Sequence, residues 1–210
     1  MNKICYVAAR CPRPGQVKTR LGAVIGHEAA AALYAAFLLD LEAKLGRASF
    51  PVCWYVTPGA WADRPHREQG DGDWNARQAR LFEEAAGRGE ERVVLIASDS
   101  PQIDLAVIHE AFSALEHNDL VLGPVEDGGY YLIGMRGWHD VFHGVAMTSS
   151  TALHDVVSRA EGLRLSVAFV DPLFDVDVAG DLEHLTAIAR VRDDLLHTRQ
   201  ALRLQGRVAA

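Results

Sequence analysis

Arg10, Arg13, Lys18 and Arg20 place four cations within eleven residues of a chain whose net charge is −7. They lie in the segment Arg10-Cys11-Pro12-Arg13-Pro14-Gly15-Gln16-Val17-Lys18-Thr19-Arg20-Leu21, directly after an apolar run from Ile4 to Ala9. A Pro- and Gly-rich basic loop between a strand and a helix suits phosphate, because it offers charge, close backbone approach and the N–H groups of a helix start. Lys18 would act as a point charge, and an arginine can grip two oxygens at once. The two prolines lower the entropy lost on ordering the loop. A solvated basic turn on the surface has the same composition.

Carboxylates follow at two later places. Asp99, in Ser98-Asp99-Ser100-Pro101, comes just after the apolar run Val93-Val94-Leu95-Ile96-Ala97. A hard ion such as Mg²⁺ takes one or two carboxylates and completes its shell with phosphate oxygens and water. Asp99 fits that role, and it also fits a turn or helix cap. Asp175 and Asp177 flank Val176 and point the same way if the segment is extended. One of them could join Asp99 at a metal, while Asp177 also suits the cap of a following helix.

Two further stretches suit an acceptor molecule. Glu126-Asp127-Gly128-Gly129-Tyr130-Tyr131 combines a backbone open to close approach with aromatic hydroxyls. The same Asp-Gly pair is a hairpin signal. Thr148-Ser149-Ser150-Thr151 offers hydroxyls at a helix start, or simply a helix cap. His27, His109, His117, His139, His143, His154 and His184 show no metal-ligand spacing. Neither a Gly-x-Ser-x-Gly nucleophile nor a Gly-x-Gly-x-x-Gly dinucleotide fingerprint occurs.

The elements that must position these residues alternate. Strands are expected at Lys3 to Ala9, Val52 to Thr57, Arg92 to Ala97, Leu120 to Leu122, Tyr130 to Met135 and Leu165 to Val170. Helices are expected at His27 to Leu45, Trp74 to Arg88, Asp104 to His117 with Asp104 as N-cap, from Ser149 or Ser150 to Ala160, and from Ala179 to about Leu204. Ala60 to Asp73 reads as a loop with a short helical turn. Such alternation predicts a mainly parallel sheet covered by helices on both faces. Ligands of such sheets sit beyond the carboxyl ends of the strands, where the basic loop, Asp99 and the Asp171 to Asp177 loop all fall.

At 210 residues the chain fits one large α/β domain. An acidic balance disfavours nucleic acid as a partner, so a local basic loop points to a small anion. Three widely spaced cysteines without a Cys-x-x-Cys pair predict reduced thiols and a cytoplasmic protein. No apolar run reaches membrane-spanning length, and the N-terminus does not read as a signal peptide.

Four motifs occur in order along nearly the whole chain. They are Pro12-x-Pro14-Gly15-x-Val17-Lys18-Thr19-Arg20-Leu21, Ser98-Asp99-Ser100-Pro101, Gly123-Pro124-x-x-Asp127-Gly128-Gly129-Tyr130-Tyr131-Leu132-Ile133-Gly134 and Asp175-Val176-Asp177-x-x-x-Asp181-Leu182. Together they resemble the DUF2064 family of glycosyltransferase-like proteins, whose members are described as nucleotide-diphospho-sugar transferases. The resemblance implies an α/β fold of the GT-A type, a Rossmann-like αβα sandwich with a mainly parallel central sheet, as one domain over residues 1–210. The family is also similar to nucleotidyltransferases. By this resemblance Lys18 and Asp99 are catalytic, and Asp99 and Asp177 hold Mg²⁺ or Mn²⁺. The nucleotide is bound by Arg13, Gly15, Lys18, Thr19, Arg20 and Arg77, the last within Gly72-Asp73-Trp74-Asn75-Ala76-Arg77-Gln78, where the family has Gly-Asp-Leu-Gly-Glu-Arg-Met.

Other positions depart from the family pattern. Ala8-Ala9-Arg10 stands for Phe-Ala-Lys, Ala97 for the Gly before Ser-Asp-Ser-Pro, Met147-Thr148-Ser149 for Trp-Ser-Thr, and Asp177-Val178-Ala179-Gly180-Asp181 for Asp-Thr-Pro-Glu-Asp. The phosphate and metal candidates carry over, whereas the base and acceptor pockets do not. The expected function is a metal-dependent transferase using an activated nucleotide, foremost a glycosyltransferase with a nucleotide-sugar donor. The alternatives are a nucleotidyltransferase that activates a phosphorylated or phosphonate small molecule with release of pyrophosphate, and a non-catalytic nucleotide-binding protein. The small-molecule acceptor would meet Asp127, Gly128, Gly129, Tyr130, Ser149 and Ser150. Neither nucleic acid nor membrane is expected as a partner, and a homodimer stays open.

Overall fold

The structure, a computed structural model, describes residues 2–59, 64–146 and 150–206. In chain order the elements are β1 (Lys3–Ala9), α1 (Thr19–Ile25), α2 (His27–Leu45), β2 (Val52–Val56), β3 (His66–Glu68), α3 (Trp74–Gly87), β4 (Arg92–Ala97), α4 (Leu105–Ala114), β5 (Leu120–Pro124), β6 (Tyr130–Arg136), α5 (Ala152–Gly162), β7 (Val167–Phe169), α6 (Asp181–Val191) and α7 (Leu196–Leu204). The strands form one sheet in the order β3-β2-β1-β4-β6-β5-β7. Among the described strands only β6 runs against its neighbours, β4 and β5; the other pairings are parallel.

Alternation along the strands builds two cores. Val94 and Ile96 of β4 face one way, with Cys5 and Val7 of β1, and meet Leu33, Phe37 and Leu41 of α2, Ile108 and Phe112 of α4, Leu182 of α6 and Leu202 of α7. Val93 and Leu95 face the other way, with Tyr6, and meet Leu81 and Phe82 of α3 and Val156 of α5. Central strands covered on both faces must be apolar throughout, as the Val93 to Ile96 run is. The result is the expected α/β sandwich with a mainly parallel sheet. Cys5, Cys11 and Cys53 are free thiols. Among the described residues no helix is long and apolar enough to cross a membrane.

Local departures from the sequence expectation have physical causes. The 60–73 stretch contains a strand: His66, Arg67 and Glu68 pair in parallel with Trp54, Tyr55 and Val56. An exposed edge strand needs no apolar face, so a His-Arg-Glu strand leaves no alternation to read. The basic loop is shorter than expected, because Thr19–Ile25 forms α1, stopped at Gly26 with φ +93°. Gly22 lets α1 fold tightly onto α2, since a Cβ there would lie 2.4 Å from Nδ1 of His27.

The closing helix is two helices. Arg192 turns to an extended conformation and ends α6. The buried Asp40 carboxylate of α2 then accepts hydrogen bonds from the backbone N–H groups of His197 (2.9 Å) and Thr198 (2.8 Å), starting α7 anew. Asp104 precedes α4 as expected but makes no side-chain cap bond; its carboxylate accepts from Arg192 instead. The Leu165 to Val170 strand is trimmed to Val167–Phe169. Thr151, not a serine, is the residue before α5; Ser149 lies outside the described residues.

Candidate functional site

A cleft of about 530 Å³ opens beyond the carboxyl ends of β1 and β4. One end is formed by Lys18, Thr19, Asp99 and Asp177, and Gln69, Trp74 and Arg77 also line it. The backbone at Ala8, Ala9 and Arg10 carries β1 into it, and Ala97 and Ser98 carry β4.

Lys18 is the centre of the charged end. Its backbone is left-handed, with φ +46° and ψ +46°, immediately before α1. A non-glycine residue adopts that conformation only when its surroundings hold it there. The turn directs the side chain inward, unlike that of a solvated basic turn, and leaves it only 4% exposed. The ammonium Nζ lies 2.8 Å from Oδ2 of Asp99 and 3.8 Å from Oδ1 of Asp177. Arg20, 72% exposed at the rim, donates from Nη1 to Oδ2 of Asp177 at 2.6 Å. Three residues far apart in sequence thus converge. Asp177 caps no helix: the residue before α6 is Gly180, and Asp181 reaches back to accept from the N–H groups of Asp177 and Val178 at 2.7 Å each, fixing the loop.

The framework under the acids is hydrogen-bonded. The Asp99 carbonyl accepts from the Val176 N–H at 3.1 Å. Ser100 Oγ and Gln102 Nε2 both donate to the Phe174 carbonyl. The two acidic loops are therefore clasped to each other. Beneath them, the buried Lys44 ammonium donates to the carbonyls of Pro101 (2.9 Å) and Ile103 (2.6 Å) and pairs with Asp194 at 2.7 Å. Burial pushes the Lys44 pKa down, and Asp194 opposes that shift. Arg192 donates to the carbonyl between them, that of Gln102. Tyr34 bonds to Ser98 Oγ at 2.7 Å and accepts from the Arg10 N–H. Its phenol is pushed up by burial and then by the Asp99 charge. Buried Gln69 joins the ends of β1 and β2 through the Ala9 and Tyr55 carbonyls. Gln69 and Tyr34 escaped the sequence reading, and Ser98 entered it only as the first residue of the Ser98-Asp99-Ser100-Pro101 motif. A Tyr in an alanine-rich helix and a Gln in an ambiguous loop carry no motif.

The remaining candidates are distributed unevenly. Arg77 lines the cleft but is already bonded to the Gly72 carbonyl and to Gln69 Oε1. Arg13 and Gly15 lie in an exposed turn outside the cleft lining. Asp127, Gly128, Gly129, Tyr130 and Ser150 also lie outside it. Gly128, with φ +88°, presses against Ser150: a Cβ would lie 1.9 Å from the Ser150 carbonyl oxygen. Tyr130 donates its hydroxyl to Gln78 at 3.0 Å. Asp175 is half-buried, and its pKa is raised by burial and by the charge of Asp127, with Lys18 opposing.

Among the described residues no three or more His, Cys, Asp or Glu side chains are grouped to hold a metal. Asp99 and Asp177 are a two-carboxylate set of hard oxygens that share the Lys18 ammonium, with Arg20 also on Asp177. Such a set fits Mg²⁺ or Mn²⁺ when phosphate and water complete the shell.

The family model described as "Uncharacterized protein conserved in bacteria (DUF2064)" matches residues 40–149. The crystal structure of a "putative nucleotide-diphospho-sugar transferase" from Desulfovibrio desulfuricans G20 is 30% identical, with a TM-score of 0.90 over 98% of this chain and 96% of that one. A cytidylyltransferase from Leptospira borgpetersenii serovar Hardjo-bovis is 12% identical, with a TM-score of 0.58 over 98% and 96% of the two chains. The 2-C-methyl-D-erythritol 4-phosphate cytidylyltransferase of Thermus thermophilus is 17% identical, with a TM-score of 0.55 over 91% and 100%. The last two show the fold alone. No curated protein matches the chain. With over half the chain matched by one family model and nearly all of it by a solved relative, this chain belongs to the DUF2064 family.

Proposed function

We propose that the protein is a metal-dependent transferase acting on an activated nucleotide, with a nucleotide sugar as donor. The observation that carries this reading is the buried Lys18 ammonium set between the Asp99 and Asp177 carboxylates at the mouth of the sheet. Asp99 and Asp177 would hold Mg²⁺ or Mn²⁺. The ion, when bound, supplies positive charge against the phosphate oxygens. Lys18 and Arg20 add fixed cations where charge builds on the departing phosphate, and a preorganised cation there lowers the barrier without reorganising. Thr19 and Arg77 border the space for the rest of the nucleotide, and Trp74 offers a stacking surface.

A second reading, nucleotidyl transfer with release of pyrophosphate, is favoured by the meeting of two cations, Lys18 and Arg20, on the single carboxylate Asp177. That concentration of charge also suits a triphosphate.

The test is calorimetry with a panel of nucleotides and nucleotide sugars plus Mg²⁺ or Mn²⁺, followed by product analysis. Metal-dependent binding in the wild type and its loss in Asp99→Ala are expected. Released nucleoside diphosphate selects sugar transfer, and pyrophosphate selects nucleotidyl transfer. Binding with neither product would leave a non-catalytic nucleotide binder, and absence of binding would sink the reading.

A further inference from the structure

Lys18 stands where a shared cation between Asp99 and Asp177 would stand. Its Nζ is within contact of both carboxylates, at 2.8 and 3.8 Å. The two acids are open to the cleft, at 40% and 35% exposure, whereas the lysine side chain is almost wholly enclosed. Its backbone is pinned in the left-handed region at the start of α1, so the stem has little room to retreat.

We infer that Lys18 holds the place of the divalent cation, so that the cation enters as a complex with nucleotide phosphate and binds poorly alone. This rests on the reading of Asp99 and Asp177 as the cation site. A metal ion arriving by itself would have to part an ammonium from its two counter-charges. It would leave that ammonium enclosed, unpaired and beside a like charge, which is costly in a desolvated position. A nucleotide removes the conflict, because its phosphate oxygens give Lys18 a new anionic partner as the metal takes the carboxylates. Metal and nucleotide then raise each other's affinity, as linkage requires. Arg20, exposed at the rim, keeps contact with Asp177 and does not replace Lys18 between the acids.

Deleting one cation from the site should therefore improve the binding of another. Mn²⁺ alone, titrated calorimetrically, should bind Lys18→Met at least about tenfold more tightly than the wild type, within the usual range of coupling between two ligands. Equal or weaker Mn²⁺ binding by the variant overturns the inference while leaving the cation site standing. Failure of both proteins and of an added nucleoside diphosphate to bring Mn²⁺ to the chain would instead remove the site itself. A measurement on the wild-type chain avoids any folding defect of the variant. Saturating Mg²⁺ should part the Lys18 ammonium from Asp99 and Asp177, read as a shift of the Lys18 side-chain resonance in the nuclear magnetic resonance spectrum of the ¹⁵N-labelled chain. An unchanged resonance in a chain shown to bind Mg²⁺ overturns the inference.

Discussion

Lys18 carries opposing consequences at the scale of one residue. Lys18→Ala should weaken binding of a nucleoside diphosphate at fixed Mg²⁺ by roughly tenfold or more, since a hydrogen bond to a charged group is worth about 1.5–3 kcal/mol. Calorimetry would read that loss. Asp175 gives a stability prediction of the opposite kind. Its carboxyl is raised above the ordinary value of 3.8 by burial and by Asp127. A group raised this way favours the fold below its unfolded pKa and loses that contribution as pH rises through the folded value. At pH 7 the ionised Asp175 therefore costs stability, and Asp175→Asn should raise the melting temperature there. The gain should vanish near about pH 3. Lys18, Asp99 and Asp177, which meet at the cleft, were legible as types and order, because a phosphate and hard-metal reading restricts the choice to cations and carboxylates, whereas Arg13 and Asp127 lie outside the lining. That Lys18 would be enclosed was not legible, because burial of a lysine depends on partners about 80 and 160 residues further along.

At the scale of elements, α2 does more than fill a layer. Asp40 and Lys44, one turn apart, bring both signs of charge into the interior. Asp40 starts α7, and Lys44 ties the Asp99 loop to the break between α6 and α7. Asp40→Ala strands two backbone N–H groups and should cost about 2–4 kcal/mol, read as a lower urea midpoint. Lys44→Met leaves the Pro101 and Ile103 carbonyls without their donor. It should lower the midpoint by a similar amount and also weaken metal-dependent nucleotide binding, a second effect that Asp40→Ala should show less. The bounds of α2 were legible from its apolar repeat and the glycine after it. The break before α7 was not, because it is set by the carboxylate of a distant helix.

For the whole molecule, the alternation of apolar runs and helical patterns was enough to give the parallel sheet, and the Asp127-Gly128 turn disclosed the reversal into β6. The strand order and the edge strand β3 needed the pairing itself. At the far edge Asp119 draws the sheet together, accepting from Ser166 N–H and Oγ and from Arg136. Those bonds lower its carboxyl from 3.8 to about 2. Its stabilising contribution is present above the unfolded pKa and is lost as pH falls through the folded one. Acid titration followed by circular dichroism should therefore show stability falling between about pH 4 and pH 2, with that part of the fall missing in Asp119→Asn.

The docking of the last two helices has a consequence for protein synthesis. Arg192 and Asp194 complete the support of the Asp99 loop, and the partners of Asp40 come later still, at His197 and Thr198. A chain still threading through the ribosome can lay down β1 and its basic loop early, but it must wait for Arg192 and Asp194 before the Asp99 loop is anchored. Assembly of the acidic end of the cleft is thereby deferred until the α6–α7 segment has emerged.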